Sequence, residues 1–333
     1  MQLHNWSSIQ ENFKDNILLG NGASIAIDPR LSYRSLYEQV CEGGRLCDEI
    51  TAMFERFETT NFEFIMKLLL ETSRVNEVLD IEDKKTREYY YEIRDSLIST
   101  IRDIHPTYQS AERFLFPIAD FLMNFKTVLS LNYDLLVYWS MLTGNEKFEC
   151  QWFKDCYIEG EFQKDFSWLY NPLPPARSAT LVFYPHGNLF LATDINGNEE
   201  KLSRTKDEFL LDTILTRWKE KDYIPLFVSE GHAAEKFRAI TRSSYLNTVY
   251  DSVLTKIKDS LVIYGWSASE QDEHIFNAID HKGITNIAVS VHKTNPNWEA
   301  YCERIEDRLA STRHLRESIV YFFDSQCEGC WIY

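Results

Sequence analysis

Seven short apolar runs, each stopping at small or polar residues, restrict this chain to a few architectures. Asn16 to Leu19 ends at Gly20, Thr127 to Leu131 at Asn132, and Thr180 to Tyr184 before His186-Gly187. Ile224 to Val228 ends before Ser229-Glu230-Gly231 and Leu261 to Tyr264 at Gly265, while Asn286 to Val291 and Ser318 to Phe323 complete the set. Most of the runs are apolar on successive rather than alternate positions, the pattern of strands covered on both faces. Helix-like stretches separate several of them. The pattern predicts an α/β chain with a Rossmann-like, mostly parallel sheet flanked by helices.

Residues 48–125 break this rhythm, with long helical periodicity and no glycine, as in Phe62 to Leu70 and Tyr89 to Ile104. They read as an α-helical insertion whose periodic part ends near Pro117, set into a domain built from residues 1–47 and 126–333. Its expected role is to cover one face of the sheet; walling a cleft or presenting a partner surface is the sharper alternative. The aromatic-rich stretch from Thr143 to Arg177, ending in Asn171-Pro172-Leu173-Pro174-Pro175, reads as a packed, proline-stiffened connection.

Charge and thiols narrow the partners. Lys and Arg number 35 against 51 Asp and Glu, a net −16, which argues against a nucleic-acid backbone as direct partner. No apolar segment approaches the ~20 residues of a membrane helix, and no secretory pattern opens the chain. Seven cysteines without framework spacing predict reduced thiols, so a soluble cytoplasmic protein is expected.

Glycine is scarce, 12 residues where usage near 7% would give about 23. Five of the twelve, Gly20, Gly22, Gly187, Gly231 and Gly265, stand at ends of the apolar runs, where open parallel sheets gather their ligands. In Gly20-Asn21-Gly22-Ala23-Ser24 two glycines permit a sharp turn and close ligand approach, and the following amides suit a pyrophosphate. A geometric need for glycine is the alternative, since G-x-G-x-x-G is incomplete. No G-x-S-x-G elbow is present. His232, His274, His281, His292 and His314 lack metal-like pairing, and no metal is expected.

Read in order, GNGAS at Gly20 to Ser24, NYD at Asn132 to Asp134, HG at His186-Gly187 and GWS at Gly265 to Ser267 resemble the sirtuin-like (silent information regulator type) NAD-binding superfamily. Gln271-Asp272-Glu273-His274-Ile275 looks like the segment trailing the last motif in bacterial sirtuin-like proteins, and Asp28-Pro29-Arg30 followed by Ser35-Leu36-Tyr37 echoes an early family loop. The resemblance spans roughly Asn16 to Val291 without the insertion. Asn21 stands where the family has Ala. Of the two Cys-x-x-Cys pairs of the deacylases' zinc ribbon only Cys327 and Cys330 have a counterpart here, and Cys150 and Cys156 have another spacing. Buried or incidental thiols are the better reading, which points to the zinc-ribbon-less NADase branch.

The resemblance implies that NAD+ is the substrate and that its nicotinamide–ribose bond is cleaved, to nicotinamide and ADP-ribose or a cyclic form. Asn132 is expected to orient ribose and water, because its amide donates and accepts. His186 is expected as general base or ribose-hydroxyl contact, and Asp134 either bonds ribose or buttresses the strand end. In isolation, Asn132 and His186 would read as a helix cap and a turn or core residue. Gly20, Asn21, Gly22, Ala23 and Ser24 are expected at the pyrophosphate, Arg30 near its charge, and Gly265 and Ser267 on the adenosine side. Family context implies an antiphage effector that depletes NAD+ under control of a protein partner or oligomeric assembly. Two alternatives stay open: a deacylase or ADP-ribosyl transferase, and a non-catalytic NAD or ADP-ribose-binding regulatory module. A net −16 repels a dinucleotide at long range, so affinity is expected to come from local groups and to depend shallowly on salt.

Overall fold

The computed structural model of the chain describes residues 3–32, 36–194, 196–203, 210–220, 223–228 and 232–333. The expected strand end Ser229-Glu230-Gly231, and Ser35 of the early loop, lie outside them. The strands are β1 (Asn16–Leu19), β2 (Thr127–Ser130), β3 (Phe153–Lys154), β4 (Tyr157–Ile158), β5 (Glu161–Phe162), β6 (Thr180–Phe183), β7 (Gly187–Thr193), β8 (Glu199–Lys201), β9 (Ile224–Phe227), β10 (Asp259–Tyr264), β11 (Ile284–Val291) and β12 (Ile319–Asp324). The helices are α1 (Trp6–Ile9), α2 (Asn21–Ile25), α3 (Leu36–Glu42), α4 (Asp48–Arg56), α5 (Phe62–Val78), α6 (Lys85–Ile104), α7 (Tyr108–Leu122), α8 (Leu136–Lys147), α9 (Leu210–Glu220), α10 (Ala233–Arg242), α11 (Ser244–Ser252), α12 (Glu273–Ile279) and α13 (Trp298–Ser311).

Seven strands form one sheet in the order β12-β11-β10-β1-β2-β6-β3, with every pair parallel. Every residue of β1, β2 and β6 is buried, as unbroken apolar runs require when helices cover both faces. From β1 the chain passes to β2, then to the edge strand β3, comes back to place β6 between those two, and later crosses to the other side of β1 for β10, β11 and β12. The order therefore reverses between β1 and β10, and in open α/β sheets the crevice beyond the carboxyl ends at such a point is where ligands bind.

Six of the seven apolar runs lie in this sheet. The run at Ile224 does not: β9 pairs antiparallel with β7, and β7 with β8, in a separate three-stranded sheet. Only Tyr184, Pro185 and His186 separate β6 from β7, far too few for a parallel crossover. The chain therefore leaves the sheet at His186, and β9 joins the second one. The seventh parallel strand, β3, is two residues long, below what periodicity detects.

The insertion is helical, as the pattern predicts, but its last helix runs through Pro117 to Leu122. Ile118, Ala119, Phe121 and Leu122 are all buried, and their packing outweighs the cost of about 3 kcal/mol for an interior proline. α5 and α6 close over the smaller sheet and α9. Tyr90 Oη donates to the Tyr223 carbonyl at 3.1 Å, and the Arg94 guanidinium donates to the Trp218 and Lys219 carbonyls. One continuous core joins Ile65, Ile93 and Leu97 of the insertion to Ile17 and Val262 of the main sheet. Among the described residues no helix is long and apolar enough to cross a membrane.

Trp6 joins three distant parts of the chain. It is buried, with ring centroids 5.0 to 6.3 Å from Phe13, Phe121, Phe125 and Phe323, so α1, α7 and β12 meet on one side chain. Trp6→Ala is expected to lower the unfolding free energy by about 3–5 kcal/mol, read from urea midpoints at constant slope. A change below about 1 kcal/mol would show that the cluster does not join these elements.

Candidate active site

The turns after β1 and β10 interlock at the reversal point. A Cβ on Gly20 would lie 2.5 Å from the Trp266 Cα, and one on Gly22 would lie 2.8 Å from the Gly265 carbonyl oxygen. Gly265 has φ +65° and a Cβ there would overlap the Ala23 nitrogen, so both turns need glycine for the same contact. The contact is tied by Gly22 N–H donating to Gly265 O at 2.7 Å, by Gly265 N–H to Ser290 Oγ at 2.9 Å, and by Trp331 Nε1–H to the Ala23 carbonyl at 2.8 Å.

A cleft of about 720 Å³ opens above the contact, within the range of small-molecule sites. Gly20, Asn21, Gly22, Asn132, His186, Gly265 and Ser267 line it, together with Trp266, Asp272, Ser290 and Tyr301. Ala23 and Ser24 are buried beneath it, and Asp134 lines only a small neighbouring hollow. Arg30 is not among the lining residues: its guanidinium is paired with Asp28 at 2.6 Å, outside the cleft. The pyrophosphate expectation also changes. The Gly20, Gly22 and Ala23 amides already donate to the Tyr264, Gly265 and Gly20 carbonyls, so these residues supply room and a tight turn rather than a row of free donors.

Beneath the loop runs a directed hydrogen-bond chain. The Asp134 carboxylate accepts from Ser24 Oγ at 2.5 Å and from the Leu136 amide at 2.9 Å. Having given its proton to Asp134, Ser24 accepts from Asn132 Nδ2 at 2.8 Å, and the same Nδ2 donates to the Gly20 carbonyl at 3.1 Å. This orients the Asn132 amide, leaving Oδ1 for a ligand. Of the two roles open to Asp134, the geometry is that of a buttress. Asn188 Nδ2 adds a bond to the Asp134 carbonyl at 2.6 Å, and His105 accepts the Leu135 amide at 3.0 Å.

His186 is buried beside the cleft, its Nε2 2.8 Å from Nε2 of His274. Behind the pair, Asp272 accepts from Lys236 at 3.0 Å and from Trp266 Nε1–H at 2.9 Å. Burial pushes His186 well below its usual pKa and takes His274 down to about 4, with Asp272 opposing and Lys236 adding to the shift. For Asp272 burial acts upward, but His186, Lys236 and the Trp266 N–H outweigh it and hold the carboxyl at about 2. Both histidines are thus neutral at pH 7, beside a buried ion pair. His274 lacks a metal-like sequence spacing, yet it belongs to this site, as do Lys236 and Asp272. The one sequence signal for it was the segment trailing Gly265-Trp266-Ser267.

Among the described residues, His186, Asp272 and His274 are the group with metal-like convergence. Its chemistry does not suit a cation: both Asp272 oxygens already accept hydrogen bonds, and the Lys236 ammonium, 1% exposed, occupies the place of the counter-charge. Cys327 and Cys330 are free thiols, their sulfurs 3.6 Å apart. A second cavity, about 640 Å³, lies between α5 and the smaller sheet, with Glu63, Lys67, Arg238 and Arg242 on its walls. The insertion therefore both covers the fold and walls a cavity.

A family profile described as "domain of unknown function (DUF4917)" matches residues 17–331, nearly the whole chain, and the chain belongs to that family. No curated protein matches it.

The buried pair makes stability acid-sensitive. Unfolded, His274 binds a proton below pH 6.5; folded, only below about 4. In that window protons favour the unfolded chain, so this contribution is full above pH 6.5 and declines as pH falls toward 4, by about 3 kcal/mol. His186 acts with the same sign. Urea unfolding from pH 7 to pH 4 is expected to fall more steeply for wild type than for His274→Gln, and equal slopes would contradict burial of a neutral His274.

Proposed function

We propose that this member of the DUF4917 family is a cytoplasmic NAD+ glycohydrolase, cleaving NAD+ to nicotinamide and ADP-ribose or its cyclic form. The observation that carries the reading is the pairing of an oriented Asn132 Oδ1 with a neutral His186 at the edge of the reversal-point cleft.

In NAD+ the nicotinamide nitrogen already bears positive charge, so the bond to ribose breaks with its electron pair going to nicotinamide, and the leaving group needs no acid. Positive charge then develops on the ribose, and water adds to it and loses a proton. The protein must hold the ribose, place the water and receive that proton. Asn132 Oδ1 accepts from a ribose hydroxyl or from the water. His186 takes the proton, and the Asp272 carboxylate lies close enough to stabilise the imidazolium. No Lys or Arg is found among the described lining residues, so phosphate oxygens would be met by groups such as the Ser267 and Ser290 hydroxyls.

Depletion of NAD+ needs restraint, and the reading includes an antiphage role under a protein partner or oligomeric assembly. Val75, Val78 and Leu79 at the end of α5, with Ile81 just beyond, are 52 to 82% exposed and offer such a partner an apolar face.

Nicotinamide release from NAD+ by the purified protein, with and without an acylated peptide, tests the reading. Release without peptide is expected, and Asn132→Ala and His186→Ala should lower it roughly 10²-fold or more. Peptide-dependent release would favour deacylation instead. Tight NAD+ binding without turnover, even with cell extract added as a source of activator, would leave a binding module.

A further inference from the structure

We infer that the cavity between α5 and the smaller sheet binds a mononucleotide, its phosphate held by Lys67, Arg238 and Arg242 and its base against Phe57. The site shares no lining residue with the reversal-point cleft, and the inference does not depend on the hydrolase reading.

A cavity of about 640 Å³ has room for a ligand of that size. What selects the ligand is that the acceptors on its walls are occupied while the donors are not. Glu199 accepts the Ser244 and Tyr245 amides at 2.9 and 2.7 Å, Asp194 accepts the Asn196 and Asn198 amides at 2.8 Å, and Glu235 accepts the His232 amide at 3.1 Å. Glu71 and Glu77 are exposed on α5. Lys67 on α5 and Arg242 at the end of α10 have, by contrast, no ion-pair partner among the described residues beyond their pull on Glu63. Arg238 gives one N–H to the Ala234 carbonyl at 3.3 Å and keeps its charge. The neutral groups are turned the same way. Asn61 Oδ1 accepts the Phe64 amide and Thr59 Oγ1 accepts the Asn61 amide, both at 3.1 Å, so Asn61 keeps its N–H groups and Thr59 its O–H for a ligand. Such an excess of donors, three of them on cations, suits an oxyanion with several oxygens.

Glu63 completes the set. It lines the cavity, and its Oε2 is buried with no hydrogen-bond partner among the described residues. A carboxylate with one oxygen sealed and unpaired is costly, and burial, with Glu199 adding, pushes the carboxyl up to about 7 against the pull of Lys67 and Arg242. The charged groups facing it thus come from α5, β8 and α10, and α6 contributes Arg87 to the same cavity. Protonated, Glu63 donates like its neighbours; ionised, it would repel a phosphate. Phe57, 47% exposed, lies on the wall edge-on to Phe64, with ring centroids 5.9 Å apart, and offers a planar base an aromatic surface.

Calorimetry of the full chain with AMP, GMP, CMP and UMP tests this, with adenosine and ribose 5-phosphate as the separate halves. One-to-one binding of at least one of the four nucleotides is expected, weakened roughly tenfold by Arg242→Ala or by Phe57→Ala and unchanged by Asn132→Ala in the cleft. Arg242 and Phe57 are both exposed, so their loss leaves the core intact. Each half alone should bind more weakly than the nucleotide. Affinity should fall roughly fivefold from pH 7 to pH 8, as the protonated fraction of Glu63 drops, and Glu63→Gln, which keeps a donor without titrating, should remove that step. Binding abolished by Asn132→Ala and untouched by Arg242→Ala would move the site to the cleft. That result, ribose 5-phosphate or adenosine matching the nucleotide, equal wild-type affinity at the two pH values, or no binding of any of the four would each overturn the inference.

Discussion

The backbone contact between Gly22 and Gly265 is the constraint from which the rest of the site follows. It closes the turns after the two strands that flank the reversal point, at a separation no side chain tolerates. Because the two turns touch, the cleft sits above them instead of running between them. The glycines act here through absence of bulk. The amides that a glycine loop often offers to a phosphate are instead spent on closing the two turns onto each other.

That closure hands recognition to side chains one layer down. Asp134 cannot donate when ionised, so Ser24 must donate to it, and Asn132 must donate to Ser24. The polarity of a buried carboxylate thus travels two residues and emerges in the cleft as an acceptor oxygen on Asn132. Such a chain costs little once every member is satisfied, and it rigidifies the group it ends on. His186 is held on another wall by a contact with a second ring, its Nε2 2.8 Å from Nε2 of His274, and the chain stops there because Nδ1 of His274 has no hydrogen-bond partner among the described residues.

How much of this was legible in the sequence depended on distance along the chain. Runs such as Val128 to Ser130 and Leu261 to Tyr264 announced a parallel sheet because burial on both faces leaves no alternation. The run at Ile224 was equally apolar yet belongs to the antiparallel sheet, since a strand's own composition does not say which partner buries it. The glycine, Asn132 and His186 motifs stood out because local chemistry marks strand ends. His274 did not, for its meaning comes from a ring 88 residues earlier. Lys236 sits in a charged stretch of α10 where any lysine looks solvated, and only the fold reveals that it is buried against Asp272. Arg30 shows the opposite case: sequence proximity to the loop suggested phosphate, whereas the fold pairs it with Asp28, two residues before it, outside the cleft.

Acid sensitivity and weak resting basicity then have one cause. Burying two neutral imidazoles beside a self-neutralised Lys236–Asp272 pair leaves no net charge there at pH 7. The same burial that keeps the His186 lone pair unprotonated also makes protonation of the folded chain costly, so stability is forfeited in acid. A base so depressed is a weak one in the resting protein. On the proposed reading, proton uptake becomes favourable only when the reaction offers an acidified water, one bonding to an electron-poor ribose carbon, with Asp272 near enough to balance the charge. On that reading the arrangement confines strong basicity to the moment of bond cleavage, and a net −16 leaves an anionic substrate such as NAD+ to be held by local groups alone.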